Sequence, residues 1–272
     1  MTDIEITSDS LTTEEAIANL QQTEDSSLRY YAAWWLGRFR VNQPVVIAAL
    51  EAALQDTDDR SPDGGYPLRR NAARALGKLG DRSVVPALIE CLACEDYYVR
   101  EAAAQALAEL EDTSCASALL TLLEGGLSAA TQVPDKPHLV QPYGAVIEAL
   151  GMLGVTDAIA AIQPFLDHEF ATVQNAAARA LYQLTGDEHY AERLITTLRG
   201  ESLQLRRSAL MDLGAVGYLP AAEAIAAALT ENSLKLIAMK GLIDTHLTAP
   251  EGSPPELTNP TIEVMNLMDN LL

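Results

Sequence analysis

Apolar positions along this chain recur at helical spacing, and one short pattern of them returns repeatedly. The stretch Val99–Leu107 (VREAAAQAL) comes back as Leu68–Leu76 (LRRNAARAL), as Val173–Leu181 (VQNAAARAL) and as Leu205–Leu213 (LRRSALMDL). Weaker copies start at Leu28, Pro142 and Leu234. Eight positions after each start stands a leucine: Leu36, Leu76, Leu107, Leu150, Leu181, Leu213 and Leu242. Self-similarity at about thirty residues marks a repeat architecture, in which each unit is too small to bury its own apolar face.

Between copies lies a second helical stretch, such as Val84 to Cys94. Pro44, Pro86 and Pro220 open three of these stretches, where a missing N–H costs nothing. Thr12-Thr13-Glu14-Glu15 reads as a capping box for the first helix. Gly37, Gly77 and Gly214 directly follow the repeating leucine, allowing helices either to approach closely or to end. No stretch sustains period-two alternation, so a sheet is not expected. The prediction is an all-α fold, a HEAT-like α-solenoid of about seven helix pairs wound as a superhelix over residues 1–247.

Two insertions lengthen the repeat, at 56–66 and 125–141. Both are rich in Gly, Pro and Asp and fall at the same point of the unit, so both are expected to project from one edge, where added loops often serve binding. Neutral insertion into a tolerant turn explains either one equally well. After Leu247 the pattern stops. Residues 248–259 read as a Pro-rich linker, with Ala249–Pro255 unable to form helix, and 260–272 as a short helix. Ile262, Met265, Met268 and Leu272 lie along one side of that helix, which is expected to cap the last repeat.

Composition narrows the functional classes. Apolar residues make up 49% of the chain but aromatics only 5%, so the core must be built from small and aliphatic side chains. With 18 basic and 38 acidic residues the net charge is −20, which argues against nucleic-acid or anionic-membrane partners. No apolar run approaches the roughly 18 residues of a membrane span. Met1–Glu5 lacks the basic and apolar features of a secretory leader, so the expectation is a cytoplasmic protein.

Motifs for phosphate loops, serine hydrolases and zinc peptidases are absent. Cys91 and Cys94 form a CxxC, placed by the pattern inside a helix without a second pair, so buried structural thiols are expected there and at Cys115. No metal site is expected. His138, His168, His189 and His246 form no ligand pair at helical spacing, and solvent exposure is expected for each.

The informative feature is a stripe. Residues two, six and ten positions past each start share a helix face and escape the Ala/Leu pattern, so they should line a groove. In the first copy they are Tyr30, Trp34 and Arg38; in the second, Arg70, Arg74 and Lys78; in the third, Glu101, Gln105 and Glu109. An aromatic row beside a basic row, in so acidic a chain, suits a flat conjugated ligand carrying carboxylates. Solvated charges and rings that merely cap the stack form the alternative.

Tyr30–Leu36 (YYAAWWL) resembles a segment of the E subunits of cyanobacterial E/F-type phycobilin lyases, nearest those serving the phycocyanin α subunit. The likeness continues through Gly65–Asp81 (GYPLRRNAARALGKLGD) and along the repeats to about Leu247. It implies a heterodimer with an F-type subunit that attaches phycocyanobilin through a thioether to a cysteine of the phycocyanin α subunit. The bilin would then be a substrate, with no permanently bound cofactor. Motif likeness leaves phycoerythrocyanin open as an acceptor, while overall likeness favours phycocyanin. The NHCQGN motif of isomerising F subunits is absent, so isomerase activity is not implied. The expected bilin site is Tyr30, Trp34, Arg38, Arg70, Arg74 and Lys78, with Tyr31 and Trp35 packed behind in support; no catalytic acid can be chosen. The competing function is a non-catalytic scaffold or adaptor in phycobilisome assembly or degradation.

Overall fold

A computed structural model describes residues 11–247 and 257–272; the Ala249–Pro255 stretch lies outside the described residues. The chain forms two compact units dividing after Leu119. The first contains α1 (Thr13–Gln21), α2 (Ser26–Arg38), α3 (Pro44–Leu54), α4 (Pro67–Leu79), α5 (Val85–Cys91) and α6 (Tyr97–Glu109), and the short α7 (Ala116–Thr121) spans the division. The second contains α8 (Gly126–Ala129), α9 (Tyr143–Met152), α10 (Ile159–Ile162), α11 (Ala171–Thr185), α12 (Glu188–Leu198), α13 (Leu203–Val216), α14 (Ala222–Ala227), α15 (Asn232–Asp244) and α16 (Asn259–Asp269). Among the described residues no strand occurs; Gln132 and Leu139 make one isolated antiparallel bridge. The fold is all-α, built of HEAT-like helix pairs.

Each of the seven pattern copies forms one helix (α2, α4, α6, α9, α11, α13, α15), and each repeating leucine is completely buried. The Thr12 capping box forms: the Thr12 N–H donates to Glu15 Oε2 at 2.9 Å and the Glu15 N–H to Thr12 Oγ1 at 3.2 Å. Asp25 and Asp96 cap α2 and α6 by accepting backbone N–H bonds.

The glycines after the repeating leucines bring helices together rather than end them. A Cβ on Gly37 would lie 2.7 Å from Ala75 Cα, one on Gly77 2.7 Å from Ala106 Cα, and one on Gly151 2.7 Å from Ala180 Cα. Gly214 meets Ala238 and Gly241 in the same way. These approaches stitch successive motif helices backbone to backbone. The α11–α13 seam departs from the scheme, with Tyr182 at the glycine position and Asp212 at the alanine position. There Arg179 Nη1 lies 3.3 Å from Asp212 Oδ1 and 3.5 Å from Glu148 Oε2, and the Tyr182 ring meets Tyr218 edge-on at 5.6 Å. Burial pushes the Asp212 carboxyl up, against the pull of Arg179.

Three expectations are corrected. His168 is buried, not exposed: its Nδ1 accepts the Phe170 N–H at 3.0 Å, so Nε2 carries the proton and donates to the Ala130 carbonyl at 3.1 Å. This bond holds the second insertion against the turn before α11. Cys94 lies past the end of α5 rather than within it, although all three cysteines are buried. In α16 the buried residues are Thr261 and Val264, while Ile262 and Met265 are 41% and 42% exposed. Thr261 is accommodated because its hydroxyl donates to the Thr258 carbonyl at 2.7 Å, and the helix packs on α14 and α15 as a cap would.

Candidate functional site

The site grows from the exposed stripe of α2, α4 and α6 in the first unit. In α2 the Ala and Leu positions face inward, so Trp34 stands 48% exposed. Tyr31, expected behind the site, is instead 49% exposed, with its ring 5.5 Å from that of Trp34. The reason is positional. Tyr31 and Trp35 occupy the side on which later motif helices receive the preceding one, and α2 has no motif helix before it. Trp35 is half-buried and packs on Phe39 at 5.0 Å.

Tyr30 is not a free groove residue. Its hydroxyl donates to Asp59 Oδ1 at 2.5 Å, and burial, then the Asp59 hydrogen bond and charge, push the phenol up to about 12. Asp59 belongs to the first insertion, which is also fastened by the buried Arg29, 2.6 Å from Asp56 and 3.6 Å from Asp59. At its other end the Tyr66 N–H donates to Asp96 Oδ2 at 2.6 Å, and Arg60 lies over the Tyr66 ring while pairing with Glu95 at 2.8 Å. The insertion is therefore part of the scaffold around the N-terminal ends of α2 and α6.

Arg38 is exposed at the end of α2. Arg70 turns toward the Tyr98 ring, 5.9 Å from its centroid. Arg74 and Lys78 converge with Gln105, Ala106 and Glu109 on a cleft of about 250 Å³ between α4 and α6. Arg74 also lies 3.8 Å from Glu101. Arg40, in the turn after α2, donates to the Lys78 carbonyl at 2.8 Å and helps fix the end of α4. Withdrawal from water pushes the Glu109 carboxyl up, against the opposing pull of Lys78 and Arg40.

The structure thus brings together Arg74 and Lys78 in one cleft and pairs Trp34 with Tyr31, but it commits Tyr30 to Asp59 and Arg70 to Tyr98. Gln105 and Glu109, outside the expected site, also line the cleft, and the same i, i+4 spacing marks them. Among the described residues no group of His, Cys, Asp and Glu could hold a metal ion, and no helix is long and apolar enough to cross a membrane.

Two sequence families match. Residues 62–130 match HEAT repeats, and residues 28–56 and 142–168 match the PBS lyase HEAT-like repeat. The chain is 63% identical over 262 residues to a phycocyanobilin lyase subunit alpha of Synechocystis sp., covering 96% of each. It is 46% identical to the bilin biosynthesis protein PecE of Mastigocladus laminosus, covering 92% of this chain and 86% of the relative. Among solved structures it resembles a chain in the complex of CpcE and CpcF of phycocyanin lyase from Nostoc sp. PCC7120, with 58% identity, a TM-score of 0.89 and coverage of 100% and 99%. On this identity over nearly its whole length, the chain belongs to the family of phycocyanobilin lyase alpha (E-type) subunits.

Proposed function

We propose that this chain is the E-type subunit of a cytoplasmic heterodimeric lyase that joins phycocyanobilin, as substrate, to a cysteine of the phycocyanin α subunit through a thioether. The observation that carries the reading is the exposed Trp34–Tyr31 ring pair on α2 together with the Arg74–Lys78 cleft beside α4, in a chain of net charge −20. An open-chain tetrapyrrole offers both complements, conjugated rings to stack and two propionates to pair.

The attacking sulfur belongs to the acceptor. It adds across the ethylidene double bond of one bilin ring, forming a C–S bond at one carbon while the other takes a proton. The three cysteines of this chain are buried, and burial pushes the Cys91 and Cys115 thiols up, which disfavours them as nucleophiles for that step. The chain's contribution is orientation: holding the rings and carboxylates removes several kcal/mol of the barrier to a bimolecular addition. An F-type partner, like the CpcF found with CpcE in the Nostoc complex, completes the lyase.

The test is co-expression with the F-type subunit, a bilin source and apo-phycocyanin α, reading covalent pigment on the acceptor. A scaffold would leave the acceptor colourless. Arg74→Ala should weaken bilin binding by about tenfold or more, since a charge-assisted bond contributes about 1.5–3 kcal/mol, and Trp34→Ala by several-fold through the lost ring stacking of about 0.5–1.5 kcal/mol. Arg199→Ala, in the second unit, serves as control. If both first-unit variants fold and bind bilin like the control, the ligand lies elsewhere.

A further inference from the structure

Thiol addition to the ethylidene leaves one proton unassigned, that delivered to the ring carbon as the C–S bond forms. We propose that Glu109 is the acid that delivers it, and that bilin binding itself loads Glu109 with that proton. This rests on the bilin propionates occupying the Arg74–Lys78 cleft.

Among the carboxylates of the α4–α6 stripe, Glu101 is engaged with Arg74, whereas Glu109 lines the cleft together with Arg74 and Lys78. Its place is built by the stitch between the helices. Because residue 77 is glycine, Glu109 Oε2 comes to within 3.1 Å of where a Cβ would stand, in the angle between α4 and α6. The groups facing it are Lys78 and Arg74 from α4, Arg40 from the turn after α2, and Gln105 on its own helix. Without ligand, withdrawal from water already favours the neutral acid, and Lys78 and Arg40 restrain that tendency. Propionates paired with Arg74 and Lys78 cancel the Lys78 share of the restraint, leaving that of Arg40, and add negative charge beside Glu109. Both changes favour the protonated form. Glu109 therefore takes a proton from solvent as the bilin enters.

The step balances. The acceptor thiol gives its proton to solvent and attacks as thiolate, the C–S bond forms, and the π bond of the ethylidene breaks. The electron pair freed on the ring carbon takes the proton from Glu109, which is left as carboxylate. No oxidant or reductant is consumed. An acid of this kind works only while protonated, so transfer should fall as pH rises through the raised Glu109 value.

The experiment uses the complex of this chain with its F-type partner and phycocyanobilin as the probe, without acceptor. Proton uptake on binding is measured by calorimetry in two buffers of different ionisation enthalpy. Wild type should take up part of one proton per bilin over the pH range in which unliganded Glu109 ionises. Glu109→Gln should bind bilin within a few-fold of wild type, lose the uptake, and slow transfer by about a hundredfold with loss of the alkaline limb of its pH profile. Glu109→Asp should recover part of the uptake and of the rate. Undiminished uptake in Glu109→Gln, as from the bilin nitrogens themselves, would overturn the assignment, and so would an unchanged alkaline limb. If Arg74→Ala and Lys78→Ala leave bilin affinity unchanged, the cleft reading fails beforehand. If they weaken it while Glu109→Gln keeps its uptake, only the acid is wrong.

Discussion

Replacing Gly77 by alanine tests how the motif helices are held together. The new Cβ would lie 2.7 Å from Ala106 Cα, 2.8 Å from Ala106 Cβ and 3.1 Å from Glu109 Oε2. The carboxylate can swing aside, but the Ala106 atoms belong to the body of α6, so α4 and α6 must part. Overpacking of this kind costs about 1–3 kcal/mol. The alanine also stiffens the unfolded chain, which returns about 0.4–1 kcal/mol. The net loss is then at most about 2.6 kcal/mol and centred on about 1.3, a fall of roughly 3–5 °C in melting temperature for a chain of this size. Gly144, within α9, has nothing within 4 Å of its Cβ position, so Gly144→Ala should leave the melting temperature unchanged or raise it. Adding Ala106→Gly to Gly77→Ala should recover only part of the loss, because the backbone of α6 still stands in the way of the new methyl group. Thermal unfolding followed by far-UV circular dichroism separates the cases. A fall of equal size in both single glycine variants would refute the close-approach argument.

Arg29→Met leaves the carboxylates of Asp56 and Asp59 without their buried cation and should cost about 3–5 kcal/mol by urea unfolding. Burial alone would raise Asp56, but the Asp59 backbone N–H and Arg29 outweigh it and hold it below the usual carboxylate range. Its stabilisation is therefore present above the unfolded carboxylate value and lost as pH falls through the depressed one, a dependence that Arg29→Met should flatten. The raised Cys91 and Cys115 thiols should react slowly with a thiol reagent until the protein unfolds. Replacing Cys91, Cys94 and Cys115 together by Ala should preserve transfer, measured as pigment on the acceptor, with only stability reduced.

The helices and the stripe are legible in the sequence because both follow from spacing along one element. Leu36 through Leu242 mark the motif helices, and i, i+4 spacing puts Arg74 beside Lys78 and Gln105 beside Glu109. What the sequence hides are meetings between elements. Tyr30 has the spacing of a groove residue, yet its hydroxyl goes to Asp59, because an aperiodic insertion folds back over α2. Tyr31 is misplaced by the same kind of reasoning: its register suits a packed position, but only where another motif helix precedes. In α16 hydrophobicity selects Ile262 and Met265, while the surface that receives the helix selects Thr261 and Val264. His168 carries no signal at all, since its partner is the Ala130 carbonyl.

The seam between α11 and α13 gives the second unit uneven mechanics. A glycine packed on an alanine attracts only through dispersion, which fades within about an ångström of separation. The Arg179–Asp212 pair attracts through charge, which weakens only as the inverse of distance. Under a bending load the α9–α11 and α13–α15 seams therefore hold like rigid joints, while the α11–α13 seam yields gradually without letting go. Bending among these four motif helices should concentrate at the α11–α13 seam, where the Arg179–Asp212 charges and the Tyr182–Tyr218 ring contact stand in place of a glycine fit.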